Sequence, residues 1–525
     1  MTLATDDLPT DADALRALLI AERADHAAER ARHAAALARV ESERDRLRAI
    51  IHALQRHRFG RRSERLDPDQ LALALEDVEQ SLASAEAEVE RTASPGQRAR
   101  ATRRRKLNRG ALPAHLPRIE TVVDVAPAVC PCCASPMHKI GEDVSERLDM
   151  IPAQFRVLVM RRPKYACRSC PGTLIQAAAP PRLIEGGLPT EALVAHAIVA
   201  KYADHVPLYR QAQIYARQGI DLDRSTLADW VGRGAWWLRP LHARLLETLR
   251  ASSKLFADET TAPVLDPGRG RTKTGQLWAY ARDDRPWAGP DPPAVAYVYA
   301  PDRKAERPTA HLQGFRGILQ VDGYAGYRVL AEAGQVDLAF CWSHVRRQFY
   351  EIAARGPAPI AGEALARIAE LYAVETEIKG QPADARRAVR QQRSKPIIDA
   401  MKTWLETQLA AVSQKSAIAA AIRYALARWT GLTRFIDAGH IEIDSNVVER
   451  TIRPLALNRK NALFAGSDGG GEHWAILASL IETCKLNGID PQAYLADVFT
   501  RLVAGHPVHR LDQLLPWRWA SARQP

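Results

Sequence analysis

No uninterrupted apolar run in this 525-residue chain approaches the length of a bilayer-spanning helix, so a helical membrane protein is excluded and a soluble chain is expected. Cysteine is scarce, seven residues in all and an odd number, which excludes a disulfide-built scaffold. No signal peptide stands at the amino terminus, so a reducing, cytoplasmic setting is expected. Acids are outnumbered, 61 Asp and Glu against 73 Lys and Arg, giving a net charge of +12 and pointing to a polyanionic partner. At 46% hydrophobic residues the chain can support several domains, each with its own core.

The stretch from Asp11 to His57 lacks both glycine and proline and abounds in Ala, Leu, Arg and Glu, so it predicts one long helix. Leu37, Val40, Leu47, Ile51 and Leu54 fall at alternating three- and four-residue steps, interrupted by Arg44, which is a short coiled-coil seam suited to a homodimer. An ordinary amphipathic helix packed on its own chain has the same pattern. A second helix is expected from Pro68 to about Glu90. The segment Arg98–Arg109 carries seven positive charges, among them Arg103, Arg104, Arg105 and Lys106, and no negative one. Pro95, Gly96, Gly110 and Pro113 bracket it, so it reads as a linker able to follow a phosphate backbone.

Four of the cysteines form two pairs, Cys130-Pro131-Cys132-Cys133 and Cys167-Arg168-Ser169-Cys170. Each short knuckle puts two thiolates on one side of an ion, so Cys130, Cys133, Cys167 and Cys170 predict a structural zinc ribbon with no open coordination position. Cys132 is an alternative to Cys133, at a poorer spacing. Phe155–Tyr165 alternates like a strand entering the second knuckle, and its Arg161, Arg162 and Lys164 would face DNA. Of the remaining cysteines, Cys484 reads as core and Cys341 as a strand end.

From Pro189 to Leu241 the pattern is helical. A helix around Leu208–Ala216, a turn containing Gly219 and a helix capped at Asp223 or Ser225 fit a helix-turn-helix, whose recognition helix Arg224, Ser225 and Thr226 would open. Two packed helices of a connector domain fit as well.

The densest chemistry lies in three acids. Asp258 sits in the strand-like run Lys254–Thr260. Asp322 ends the run Gly317–Val321 and precedes Gly323. Glu449 falls in the first turn of a helix beginning near Asn446. Strand-like runs at Leu277–Ala281 and Ala294–Tyr299, a helical Asp302–Gln313, a helix Tyr324–Glu332 and a strand Asp337–Cys341 give the order three strands, helix, strand, helix, strand. That is the succession of a ribonuclease H-like domain. Carboxylates converging from separate elements are what two hard divalent cations need for phosphodiester chemistry. Taken one by one, Asp258 and Asp322 could equally bind turn amides, and Glu449 could close a capping box. Between Cys341 and His440 the chain is helical by pattern, as in Ile360–Ile378 and Ile397–Leu426. Its Arg386, Arg387, Arg390 and Arg393 suggest a surface tracking DNA. His344 and Arg347 would approach the scissile phosphate, or are simply residues of a helix surface; Arg459 and Lys460 are further candidates for DNA binding, and Gly466–Gly471 reads as a loop whose amides could meet phosphate.

Several of these strings resemble the large transposase subunit of the insertion sequence 66 family: Phe256–Thr260, Val321–Tyr327, Cys341–Arg347, Asn446–Pro454, Arg459–Ser467 and, near the amino terminus, Phe59–Leu66. The resemblance spans nearly the whole chain. It departs at Ser445, where the family usually has Asn, and at Ala462, where an aromatic is usual. It implies an Asp-Asp-Glu transposase with Asp258, Asp322 and Glu449 as catalytic triad and two Mg²⁺ ions as cofactors. It also implies element-end and target DNA as substrates, and small accessory proteins of the same element as partners.

The expected organisation is multidomain α+β. Residues 1–60 form a coiled-coil helix, 61–120 a helix and basic linker, 121–176 a zinc ribbon, and 177–250 a helical DNA-binding domain. Residues 251–345 and 441–500 form two parts of a ribonuclease H-like core, separated by a helical insertion at 346–440 and followed by a tail at 501–525. A ribonuclease H-like nuclease without strand transfer, or a non-catalytic zinc DNA-binding regulator, are the rival readings. The first has no need of dimer helix, zinc ribbon and basic linker together. The second gives no reason for the three acids.

Overall fold

The computed structural model describes residues 187–266, 271–462, 464–465 and 467–522, together with residues 180–184, the backbone of two short strands and isolated positions before them. The chain divides into two compact units, residues 1–153 and 154–525. In the first, Asp13, Arg16, Leu19, Ile20, Arg23, Ala27 and Ala38 are helical, within the stretch where a long helix is expected. The seam residues Leu37, Val40, Leu47, Ile51 and Leu54, the basic linker with Arg103–Lys106, Arg162 and the four knuckle cysteines lie outside the described residues.

The second unit begins with a small hairpin, β1 (Lys164–Ala166) antiparallel to β2 (Leu174–Gln176), whose connection contains Cys167 and Cys170. Three helices follow: α1 (Glu191–Tyr202), α2 (Leu208–Ala216) and α3 (Arg224–Arg250). Thr190 caps α1 by accepting the Leu193 N–H, and Gly219 takes a positive φ in the turn after α2. Asp223 occupies the cap position of α3, but its side chain makes no capping bond. At 27 residues α3 outruns the short second helix of a helix-turn-helix. Its second half is buried through Leu241, Leu245 and Leu249 and leads directly into the sheet.

That sheet has five strands in the order β5-β4-β3-β6-β7. β3 (Lys254–Asp266), β4 (Arg271–Arg282) and β5 (Ala294–Ala300) form an antiparallel meander. β6 (Gly317–Val321) and β7 (Val336–Phe340) add to β3 in parallel, reached through α4 (Glu306–His311) and α5 (Arg328–Glu332). The sequence order of strands and helices is therefore as expected. β3 and β4 are longer than their apolar runs because they pair with each other as far as Asp266 and Arg271. Pro263 is tolerated in this outer part of β3, where β6 no longer pairs and only Ala465 bridges from the other side.

The outer strand β5 is not left open. Its Val295 and Tyr297 N–H groups donate to Thr483 and Ser479 at 3.1 and 2.7 Å, both on α13 (Asp468–Leu486). His242 of α3 bonds the Tyr297 carbonyl at 2.9 Å. Helices thus satisfy an edge that would otherwise invite another strand. α14 (Pro491–Val503) packs on α1 to complete this core.

Between β7 and the last part of the core stands a helical insertion with its own apolar interior. It comprises α6 (Trp342–Ala353), α7 (Pro359–Ile378), α8 (Ala383–Val389) with a π turn at Arg390–Ser394, α9 (Lys395–Ala411), α10 (Ala417–Leu426) and α11 (Trp429–Asp437). The stretch Ile397–Leu426, helical by pattern, is divided between two helices, because the chain is extended at Val412 and restarts at the Ser416 cap. Then α12 (Asn446–Ala462) returns to the sheet.

The arginine reading of the insertion needs correction. Arg386 and Arg390 are 1% and 0% exposed and cannot track DNA. Arg390 grips Glu375 with two bonds of 2.7 Å, and Arg386 joins Glu375 to Glu442. Arg393 pairs with Glu377 at the surface, and Arg387 is exposed. The glycine run is corrected too. Gly469–Gly471 form the first turn of α13 rather than a loop, capped by Ser467. Asp468 of that turn is held by Lys273 at 2.6 Å and Tyr299 at 2.5 Å.

Candidate active site

β3 and β6 run parallel with Lys254 opposite Ile318 and Phe256 opposite Gln320. The same offset carried two residues further sets Asp258 level with Asp322, on the same face by the two-residue alternation of strands. Side chains so placed are neighbours. The Asp258 carboxylate accepts the Glu259 N–H at 2.8 Å, and that of Asp322 accepts the Tyr324 N–H at 2.9 Å. Each acid therefore keeps the local amide contact expected at a strand end, and these contacts orient the carboxylates.

The Asp322 backbone is anchored from the insertion. Tyr424 of α10 donates its hydroxyl to the Asp322 carbonyl at 3.0 Å, and Arg428 stacks over the Tyr424 ring at 3.9 Å. Gly323 takes φ +104°, and a Cβ there would come 2.6 Å from Arg428 Nε, so conformation and space both call for glycine.

Glu449 arrives on the first turn of α12. The segment before it hangs from the sheet: Gln320 exchanges two 2.9 Å bonds with the Glu442 backbone, and the buried Lys254 ammonium donates to the His440 carbonyl. Trp342 N donates to the Ile443 carbonyl at 3.1 Å, and Ser445 N donates to Cys341 Sγ at 3.3 Å. The far end of α12 is fixed by Arg459, whose guanidinium bonds Thr260 and Thr261 of β3 at 2.6–3.2 Å. The expected site residue Arg459 thus docks α12 on the strand that carries Asp258.

The electrostatics single out Asp258. Burial pushes its carboxyl up to about 7, and the neighbouring charges of Glu259, Asp322 and Glu449 push the same way. The Glu259 amide opposes them. Glu259 points to the other side of the strand. It is raised by burial and held back by Arg303, whose Nε lies 2.7 Å away. Asp322 and Glu449 both act on Asp258, yet the three acids are not drawn together as a single tight cluster. Among the described residues, the group whose ligand atoms all lie within 4.8 Å is Cys341, His344 and Glu449.

The remaining expected contacts are scattered. His344 is half-buried, with Nε2 3.8 Å from Glu449 Oε1. Arg347 and Lys460 are exposed. Arg224 is exposed and Thr226 half-buried at the start of α3, and Arg161 is exposed near β1. Sequence reasoning missed Tyr424, Arg428 and the use of Cys341 and Gln320. Nothing local marks the first two, because their partner Asp322 is remote in sequence.

The class of protein to which this mixed sheet and helical insertion belong, a transposase, comes from comparison with known proteins. A family model described as Transposase IS66 family matches residues 186–473, so the chain belongs to that family. Further models match residues 46–121 (Transposase C of IS166 homeodomain), 127–171 (zinc-finger binding domain of transposase IS66) and 479–517 (IS66 C-terminal element). The zinc-finger match spans Cys130, Cys133, Cys167 and Cys170, and DNA is the partner these domains imply. The chain is 47% identical to uncharacterized protein y4jD of Sinorhizobium fredii, covering 90% of this chain and 94% of that one. It is 45% identical to y4qI of the same organism over 99% of both. No described helix is long and apolar enough to cross a membrane.

Proposed function

We propose that this transposase cuts the ends of its insertion sequence and joins them to target DNA at Asp258, Asp322 and Glu449, in a ribonuclease H-like core. The observation that carries the reading is Asp258, a mostly buried carboxylate whose burial and three acidic neighbours, Glu259, Asp322 and Glu449, all work against its charge. Uncompensated burial of such charge is unfavourable, and bound cations are the natural compensation. The donor set of three carboxylates suits hard cations of the Mg²⁺ type. Asp258 and Asp322 would hold a pair of them and Glu449 would complete the shell of one. When bound, such ions activate the attacking water or 3′-hydroxyl and steady the leaving oxygen.

The chain's own residues supply the geometry. The parallel register of β3 and β6, carried past the paired residues, supports Asp258 and Asp322 as neighbours. Tyr424 and Gly323 fix the turn that follows Asp322. Gln320, Lys254 and Arg459 hold α12 so that Glu449 faces the strands. Cys130, Cys133, Cys167 and Cys170 hold one structural zinc, and the ribbon, the basic linker and the start of α3 bind the element ends. The amino-terminal helix pairs two copies so that both ends are held together.

The test uses the full-length protein and labelled DNA carrying the element ends, with Mg²⁺. Asp258→Asn, Asp322→Asn and Glu449→Gln should each lower cleavage by about a thousandfold or more while band-shift binding persists. A variant that cuts at more than a tenth of the parent rate removes that residue from the triad.

A further inference from the structure

The first turns of α6 and α12 bring together three ligand side chains of mixed type. Cys341, His344 and Glu449 each offer an atom, all within 4.8 Å of one another. Their placement is fixed by the backbone rather than by chance approach of long side chains. Trp342 N bonds the Ile443 carbonyl, Ser445 N bonds Cys341 Sγ, and Glu449 N bonds the Ser445 carbonyl at 3.3 Å. The two turns are thereby locked face to face.

The imidazole of His344 is the odd member. Its Nδ1 is sealed from solvent and has no hydrogen-bond partner among the described residues. Its Nε2 stands 3.8 Å from Glu449, too far for a hydrogen bond. A sealed ring nitrogen without a partner is costly unless something outside the protein completes it. The thiol of Cys341, 2% exposed, sits one helical turn before it in a Cys-x-x-His spacing.

A sulfur, an imidazole nitrogen and a carboxylate oxygen suit a borderline cation, not a hard one, and three protein ligands leave a fourth position open. We propose that Cys341, His344 and Glu449 bind a divalent cation of the Zn²⁺ type, distinct from the ribbon zinc. Occupation withdraws Glu449 from Asp258 and Asp322 and so inhibits cleavage; this second half rests on the catalytic role proposed for Glu449.

The experiment compares full-length protein with the Cys341→Ser and His344→Gln variants, each saturated with Zn²⁺ and stripped of excess. The ribbon cysteines are common to all three, so the difference in bound zinc isolates this site. The parent should hold one equivalent more than either variant, and Co²⁺ loading should add a sulfur-to-metal absorption band that Cys341→Ser loses. Zn²⁺ titrated at fixed Mg²⁺ should inhibit parent cleavage, with at least tenfold more needed for Cys341→Ser. Equal zinc in the parent and in a folded variant overturns the site. Should Cys341→Ser fail to fold by thermal melting, His344→Gln decides alone. Extra zinc without inhibition overturns the regulatory half. Asp258→Asn should keep the extra equivalent; if it also keeps cleaving, the triad reading fails and the site does not.

Discussion

Glu375 in the helical insertion and Asp258 in the sheet are both acids withdrawn from water, and their surroundings differ in kind. Glu375 is 8% exposed and meets Arg390 through both carboxylate oxygens, with Arg386 bridging onward to Glu442. Arg390 has further bonds to the carbonyls of Phe435 and Ala438. Every charge there has a partner from the chain itself. Asp258 has one amide and three acidic neighbours. In the first arrangement the charges are matched within the fold, with Arg386 Nε alone of its donor groups left without a partner among the described residues, and the cluster holds the insertion in shape. The second is incomplete without something positive from outside, which is the physical mark of a site rather than a scaffold.

Breaking the complete arrangement should have the largest effect on stability. Arg390→Ala leaves Glu375 buried with a lost bidentate partner, and should destabilise the protein by about 3–5 kcal/mol in urea unfolding. Loss below about 1 kcal/mol would mean that water replaces the guanidinium and that the cluster is not closed.

At the incomplete site the sign reverses. The folded carboxyl of Asp258 titrates at about 7 against an ordinary 3.8, so the native state holds its proton more tightly than the unfolded chain. The cost of burying it is absent below pH 3.8, grows as pH rises toward 7, and is level above that. In metal-free buffer at pH 8, Asp258→Asn should therefore stabilise the protein by about 2–4 kcal/mol, an effect that vanishes near pH 4. Equal melting temperatures for parent and variant at pH 8 would show that Asp258 is solvated. The same titration bears on activity. At limiting Mg²⁺, cleavage should fall about tenfold per unit as pH drops below 7, because the proton competes with the cation. Saturating Mg²⁺ should move that limb to lower pH.

The smallest effect belongs to the surface of the insertion. Arg393 and Glu377 are paired but about half exposed, so solvent screens the pair and Arg393→Ala should leave the urea unfolding midpoint essentially where it was. A clear drop in the midpoint would assign that pair to the buried cluster.

Much of the sheet was legible because each strand announces itself locally. The β-rich runs at Lys254–Thr260, Leu277–Ala281 and Ala294–Tyr299 are divided by turn residues, and their order alone sets Asp258 and Asp322 on candidate neighbouring strands. The outer halves of β3 and β4 were not legible, since Pro263 and the polar residues near it argue against a strand until the partner is known. Arg386 and Arg390 misled for a related reason. Two arginines four apart on a helix look like a solvated stripe, and their partners Glu375 and Glu442 lie on other elements. The glycines at Gly469–Gly471 read as a loop because helix propensity is poor there. The Ser467 cap and the packing of Gly471 under Tyr299 override it. The mixed ligand cluster was half legible: Cys341 and His344 are three apart, but only the return of α12 adds Glu449.

Cation binding to the full-length protein in the absence of DNA is the most direct measure of whether the acids form an incomplete site. With the Zn²⁺ sites filled beforehand in the Cys341→Ser background, Mn²⁺ can be counted by its free-ion resonance at pH 8. The expected result is binding that Asp258→Asn and Asp322→Asn each weaken at least tenfold, while Glu375→Gln leaves the Mn²⁺ count of the folded protein unchanged. Mn²⁺ binding that is indifferent to Asp258 and Asp322 would contradict the assignment of these carboxylates as a cation site.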